Sequence, residues 1–158
     1  MNLLLSAFCI SLLSTVLFSA NTTTTDYCVP LTHTNNEVKN ICEKNNKPYL
    51  LIEYFSTNCR YCQRNVEPFK ILEEGLREIA SSRLVTSNSL QAVETFARAN
   101  NIQTPIALDP NRITERAFNL RGYPTMFILD SNNQIIFTQV GALTTQKINE
   151  IYEFLKNR

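Results

Sequence analysis

The chain has 158 residues, the length of one ordinary domain, and its 44% hydrophobic and 18% charged content is globular rather than disordered. Fifteen Lys and Arg against 14 Asp and Glu leave a net charge of +1, without the basic surplus of a nucleic-acid binder. Three Gly, six Pro and no internal repeat exclude collagen-like, solenoid and low-complexity classes, while five Cys are too few for a disulfide-dense mini-protein.

Residues 1–20 carry no charge, and residues 3–18 read LLLSAFCISLLSTVLF. Small residues follow at Ser19 and Ala20, then a polar run. This pattern is that of a secretory signal peptide cleaved near Ala20. The alternative is a membrane anchor built on residues 3–18, for which the run is short. Cys9 lies inside the apolar run and would leave with the signal. The mature chain then keeps four cysteines, an even number that permits disulfides in an oxidising compartment.

Residues 21–35 are polar and are expected to form a loose arm, with His33, the single histidine, in a solvated loop. Val38, Ile41 and Cys42 fall at helical spacing and predict a short helix over residues 36–46, ended by Pro48. YLLIEYF, residues 49–55, is a nearly continuous apolar run, as expected of a strand buried on both faces, interrupted only by Glu53. A helix is expected to open at Cys59. Cys62, Val66, Phe69, Leu72, Leu76 and Ile79 keep one side apolar, and Pro68 is expected to kink it.

Residues 83–87 predict a short strand. Ser89 can cap a helix carrying Leu90, Val93, Phe96 and Ala97. Residues 105–108 predict another strand, and residues 112–119 a helix. Residues 125–129 and 134–140, joined by the polar turn 130–133, predict a hairpin. Thr144 can cap a last helix with Ile148, Ile151, Tyr152 and Leu155 on one face. Strands alternating with helices and ending in a hairpin and a helix predict an α/β fold with a mixed sheet, occupying residues 36–158.

The chemistry concentrates at Cys59-Arg60-Tyr61-Cys62. The first-turn N–H groups of a helix are unpaired and its dipole is positive there, so both favour a thiolate on Cys59. Arg60 adds a nearby cation. Cys62, one turn on, can resolve a mixed disulfide by internal attack. A C-x-x-C is also half a zinc site, but nothing near Cys28 or Cys42 forms a second close pair, so no metal is expected. A purely structural disulfide at 59 and 62 would close a small, easily reduced ring, which suits exchange better than bracing. A peroxidatic cysteine would need Pro and Thr where this chain has Ile52 and Ser56.

IEYFSTNCRYC resembles the active-site strand and turn of the thioredoxin superfamily. LRGYPTMFILDSNNQIIFTQVGALTTQKINEIYEFL resembles the C-terminal half of thioredoxin and of TlpA/DsbE-like exported proteins. FARANNIQTPIALDPNRITERAFNLRGYPT resembles the TlpA-like version, with extra structure before the cis-proline. The likeness covers roughly residues 36–157 and rests on two motifs about sixty residues apart, in the right order.

The resemblance implies a three-layer thioredoxin-like sandwich, a central mixed sheet flanked by helices. It makes Cys59 the exposed nucleophile and Cys62 the buried resolving thiol, together the redox disulfide, so no cofactor is needed. Pro124 matches the cis-proline, and the backbone of Tyr123 would pair with a substrate strand. Thr125, Arg60 and Tyr61 become substrate-binding candidates. Glu53, six residues before Cys59, matches the buried acid of thioredoxin and DsbA. Its burial should raise its pKa and let it relay a proton for Cys62. Asn58 departs from the usual Trp, Pro68 lies one residue late, and Arg60-Tyr61 matches no familiar dipeptide, which leaves redox potential and partner choice open.

Cys28 and Cys42 could close a loop of about fifteen residues, worth roughly 3 kcal/mol, or remain a free thiol and a buried residue. The functional expectation is an exported, periplasmic or otherwise extracytoplasmic thiol–disulfide oxidoreductase. It would act as a monomer on cysteine-containing proteins, with a membrane thiol as electron donor or acceptor. The reading favours a reductase or isomerase. The alternatives are a DsbA-type disulfide-forming oxidase and a thioredoxin-like binding or chaperone module without redox turnover.

Overall fold

A computed structural model describes residues 27–158; the leader segment 1–20 and the start of the arm lie outside the described residues. Seven strands form one mixed sheet in the order β2-β1-β5-β4-β3-β6-β7. They are β1 (Pro30–His33), β2 (Val38–Asn40), β3 (Tyr49–Tyr54), β4 (Ala80–Thr86), β5 (Ile106–Leu108), β6 (Thr125–Leu129) and β7 (Ile135–Val140). The helices are α1 (Arg60–Leu76), α2 (Leu90–Ala99), α3 (Ile113–Ala117) and α4 (Thr145–Lys156). This is the thioredoxin-like α/β sandwich that the two motifs imply.

β3 lies inside the sheet, parallel to β4 and antiparallel to β6. Its alternation sends Leu50, Ile52 and Tyr54 to one face and Leu51, Glu53 and Phe55 to the other. The second face is covered by α1, α2 and α4. α1 buries Cys62, Phe69, Leu72 and Leu76 there, and each large apolar side chain so buried stabilises the fold by roughly 1.5–3 kcal/mol. α1 continues through Pro68, whose missing N–H leaves the Arg64 carbonyl without its helical donor. Ser89 and Thr144 cap α2 and α4 through their side-chain oxygens, as their positions before the apolar periodicity predict.

The first face has different cover. Here α3 with Phe118, and the chain around residues 27–29 and 41–42, shield Tyr54, Val85 and Phe127. Two expectations are corrected in this region. The described end of the arm is not loose, because β1 pairs with both β2 and β5 and turns Leu31 and His33 inward. His33 is therefore 3% exposed rather than solvated. Residues 36–46 form no helix: Asn36, Asn45 and Asn46 all adopt positive φ, a conformation asparagine tolerates and a helix forbids. They shape the β1–β2 turn and the turn that leads into β3. β4 also starts three residues earlier than expected, because parallel pairing with the whole of β3 extends it back to Ala80.

Cys28 and Cys42 are bonded to each other. Arg83 of β4, 3% exposed, donates from Nη1 to the carbonyls of Asn40 (2.6 Å) and Ile41 (2.7 Å), and so fixes the same segment from below. Replacing both Cys28 and Cys42 by Ser should lower the free energy of unfolding by about 3 kcal/mol, the loop-closure value for a ring of this size. Urea denaturation under non-reducing conditions measures it, and an unchanged midpoint would show that Arg83 and the strand pairing suffice.

Candidate active site

Cys59 sits at the N-cap of α1 with extended backbone (φ −87°, ψ 116°). The cap position belongs to residues whose side chain can receive a first-turn N–H, and here the receiver is sulfur. The backbone N–H of Cys62 donates to Cys59 Sγ at 3.3 Å. Both cysteines are free thiols; Cys59 is half-buried and Cys62 is 2% exposed. The Ser56 N–H points at Cys62 Sγ, 3.5 Å away. Burial pushes the Cys62 thiol far above its ordinary value, and the adjoining Cys59 pushes the same way. The pair is thus asymmetric, with a reachable sulfur facing N–H donors and a hidden thiol held in its protonated form.

The loop before β6 closes over this pair. The Tyr123–Pro124 peptide bond is cis, and the Cys59 thiol donates to the Tyr123 carbonyl at 3.6 Å. Residues 59 and 123–124, distant in sequence, therefore meet as the two motifs imply. Thr125 is turned inward: it is 1% exposed and its Oγ1 donates to the Gly122 carbonyl at 2.8 Å. It supports the loop from within rather than presenting its side chain to a substrate. Arg60 and Tyr61 stand exposed between the cysteines, Tyr61 at 60%.

Glu53 reaches the site from beneath. It is 4% exposed on the α1 face of β3, and Asn65 Nδ2 donates to its Oε2 at 2.7 Å. Burial raises its pKa from about 4.5 to about 8, while the Asn65 hydrogen bond pulls weakly the other way. Glu53 and Cys62 line one small cavity of about 20 Å³, closed by Lys70, Thr104 and apolar side chains. That volume is about the size of one water molecule.

Sequence reasoning missed Asn65. It lies on the apolar side of α1, three residues after Cys62, and is 1% exposed. A polar residue breaking the apolar stripe was the available signal. Its Oδ1 accepts from the Leu143 N–H at 2.6 Å, tying the segment before α4 to the same point. Arg112 and Glu115, which meet at the Tyr123 phenol, and Asp109, which fastens their helix, were missed as well, since nothing in their spacing announces these contacts. Among the described residues no group of three or more His, Cys, Asp or Glu side chains could hold a metal ion, and no helix is long and apolar enough to cross a membrane.

Residues 15–155 match the Redoxin family, and the chain belongs to it. Among curated proteins it is similar to sporulation thiol-disulfide oxidoreductase A of Bacillus subtilis, 26% identical over 106 residues, covering 63% of this chain and 64% of the relative. The chain spans less than two thirds of the length of the curated relatives it matches. The crystal structure of StoA from Bacillus subtilis superposes with a TM-score of 0.66 at 21% identity, over 80% of this chain and 94% of that one. A Xanthomonas campestris peroxiredoxin Q mutant shares the fold at TM-score 0.69 and 15% identity, over 84% and 93% of the two chains. The fold is therefore common to two chemistries, and the motif residues must separate them.

The Glu53 shift has a consequence for stability. An acid whose folded pKa is raised keeps its proton in the native state while the unfolded chain has released it. Its contribution is full below about pH 4.5 and is lost as pH rises through about 8. Between pH 5 and 8, wild type should lose on the order of 4 kcal/mol more than Glu53→Gln. Urea unfolding of both proteins at the two pH values tests this; parallel losses would mean Glu53 ionises freely.

Proposed function

We propose that the chain is an exported thiol–disulfide oxidoreductase that exchanges disulfides with cysteine-containing proteins through Cys59 and Cys62. The asymmetry of the pair carries this reading. Export is supported by the leader-like residues 1–20 and by the Cys28–Cys42 bond, since such bonds persist in oxidising compartments. The relative's name, a thiol-disulfide oxidoreductase, agrees. Ile52 and Ser56 stand where a peroxidatic site would have Pro and Thr, which argues against peroxide reduction.

In the reductive direction, the Cys59 thiolate attacks one sulfur of a substrate disulfide. A mixed disulfide forms and one substrate thiolate leaves. The Cys62 thiol then gives its proton to the Glu53 carboxylate across their shared cavity and attacks the Cys59 sulfur. The second substrate thiolate leaves, the substrate has gained two electrons, and Cys59–Cys62 is a disulfide. A carboxyl with its pKa near 8 can take this proton and return it in the reverse direction close to neutral pH. The Tyr123 backbone, facing Cys59, would align the substrate as an added strand. A membrane thiol donor would then restore the dithiol, which makes the role that of a reductase or isomerase.

Insulin reduction should vanish with Cys59→Ser, while Cys62→Ser should accumulate mixed disulfides detectable on non-reducing gels. Full activity of Cys59→Ser would replace the enzyme by a binding or chaperone module. Glu53→Gln should slow resolution by about a hundred-fold and abolish its rise with pH up to about 8. Equilibration with glutathione buffers fixes the direction: a potential near thioredoxin's, about −270 mV, fits a reductase, and one near DsbA's, about −120 mV, a disulfide-forming oxidase.

A further inference from the structure

The segment between β5 and β6 holds a buried polar assembly that the exchange chemistry does not use. Asp109, 1% exposed, accepts from the N–H groups of Ile113 (2.8 Å), Thr114 (2.9 Å) and Glu115 (3.2 Å), and from the Thr114 hydroxyl (2.7 Å). α3 is thereby fastened to the end of β5 as a block. On it, Glu115 is 4% exposed yet carries two charge-assisted partners. Arg112 Nε donates to its Oε2 at 2.6 Å, and the Tyr123 hydroxyl donates to its Oε1 at 2.5 Å.

Tyr123 is the residue whose carbonyl faces Cys59. Its neighbours in the loop are held through their carbonyls: the Gly141 N–H donates to that of Pro124 at 2.8 Å, and the Thr125 hydroxyl to that of Gly122. Residue 123 itself is anchored through its phenol, which meets the Glu115 carboxylate. Burial and the Glu115 carboxylate both raise the Tyr123 pKa, so the hydroxyl stays a donor at neutral pH. The anchor is short, charge-assisted and mounted on a fixed block, which is the construction of a positioning device rather than of a surface contact.

We infer that Glu115, clamped by Arg112, is a positioning residue that sets the Tyr123 backbone against the Cys59 sulfur for docking of a polypeptide substrate. The inference rests on the proposed exchange function. A disulfide flanked by peptide must lie along that backbone; a small disulfide without peptide groups needs only the sulfur. Misplacement of docking groups should therefore be felt by the first substrate and not by the second.

The test compares reduced wild type with Glu115→Ala, Glu115→Gln and Arg112→Ala in two reactions, insulin reduction and stoichiometric attack on dithiodipyridine. Glu115→Ala should lose about ten-fold or more in kcat/KM for insulin. Its rate with dithiodipyridine should stay within about two-fold of wild type. Glu115→Gln, which keeps an acceptor oxygen for the phenol, should recover part of the loss, and Arg112→Ala, a surface change that leaves the core intact, should show a smaller loss of the same kind. A parallel fall in both reactions with a lowered Tm would make Glu115 a stabilising residue only and overturn the inference. Unchanged insulin kinetics in all three variants would also overturn it. Wild type inert toward both reagents would instead bring down the exchange function itself, an outcome distinct from either.

Discussion

Everything at the active site depends on how a carboxyl is carried into the middle of the sheet. Glu53 occupies a strand whose other residues are apolar or aromatic and, from Leu50 on, buried. In that setting an ion without partners is too costly to keep, so the group stays protonated well above the ordinary carboxylate range. One side chain meets it, Asn65, and Asn65 spends its other end on the Leu143 N–H. Three pieces of chain are thus pinned at one buried point: β3, the first turns of α1, and the approach to α4. The register of α1 over β3 follows, and with it the places of Cys59 at the helix cap and Cys62 one turn inside. The buried acid is held by the same side chain, Asn65, that ties down the helix bearing the thiols.

The two sheet faces are covered by different means. On the face of α1, α2 and α4, helices with regular apolar stripes do the work, and sequence periodicity finds them. On the other face, short irregular chain does the same job and needs fasteners. The Cys28–Cys42 bond closes one loop, and the Arg83 guanidinium donates into the carbonyls of that loop from inside the sheet. A buried arginine that donates to carbonyls rather than to a carboxylate suits a segment whose backbone has left strand pairing and still needs donors. His33, beside it in the sheet layer, is kept neutral by burial and by the charges of Arg83 and Lys39.

This division explains what could be read in the sequence. β3, the C-x-x-C helix start, the β6–β7 hairpin and the caps at Ser89 and Thr144 each carry a local signal: an apolar run, a motif, a polar turn, a hydroxyl before a stripe. The site residues Cys59, Cys62, Glu53 and Pro124 lie in those well-signalled parts. Residues 30–46 misled because Val38, Ile41 and Cys42 have helical spacing by coincidence, while the asparagines that turn the chain back only reveal their left-handed backbone in three dimensions. Asn65 and Glu115 were illegible for a related reason. Asn65 has one partner 78 residues away, beyond any window of sequence, while Glu115 has its partners three and eight residues away, where neither periodicity nor a motif marks that the three side chains converge.

The extra structure between β5 and β6 shows how one scaffold can be tuned without touching its cysteines. α3 is five residues long, too short to be stable alone, and Asp109 supplies the donors' partner that makes it hold. Once fixed, it both caps the Tyr54–Phe118–Phe127 aromatic cluster and offers Glu115 to the Tyr123 phenol. The loop that faces Cys59 is thereby referenced to the far face of the sheet as well as to β6 and β7. Cys59 is carried by α1, which Asn65 ties to β3, and the loop opposite it is tied to α3 through Glu115. Two buried carboxyls, one on each side of the sheet, thus lie behind the two segments that meet at the Cys59 sulfur: Glu53 beneath α1 and Glu115 behind Tyr123.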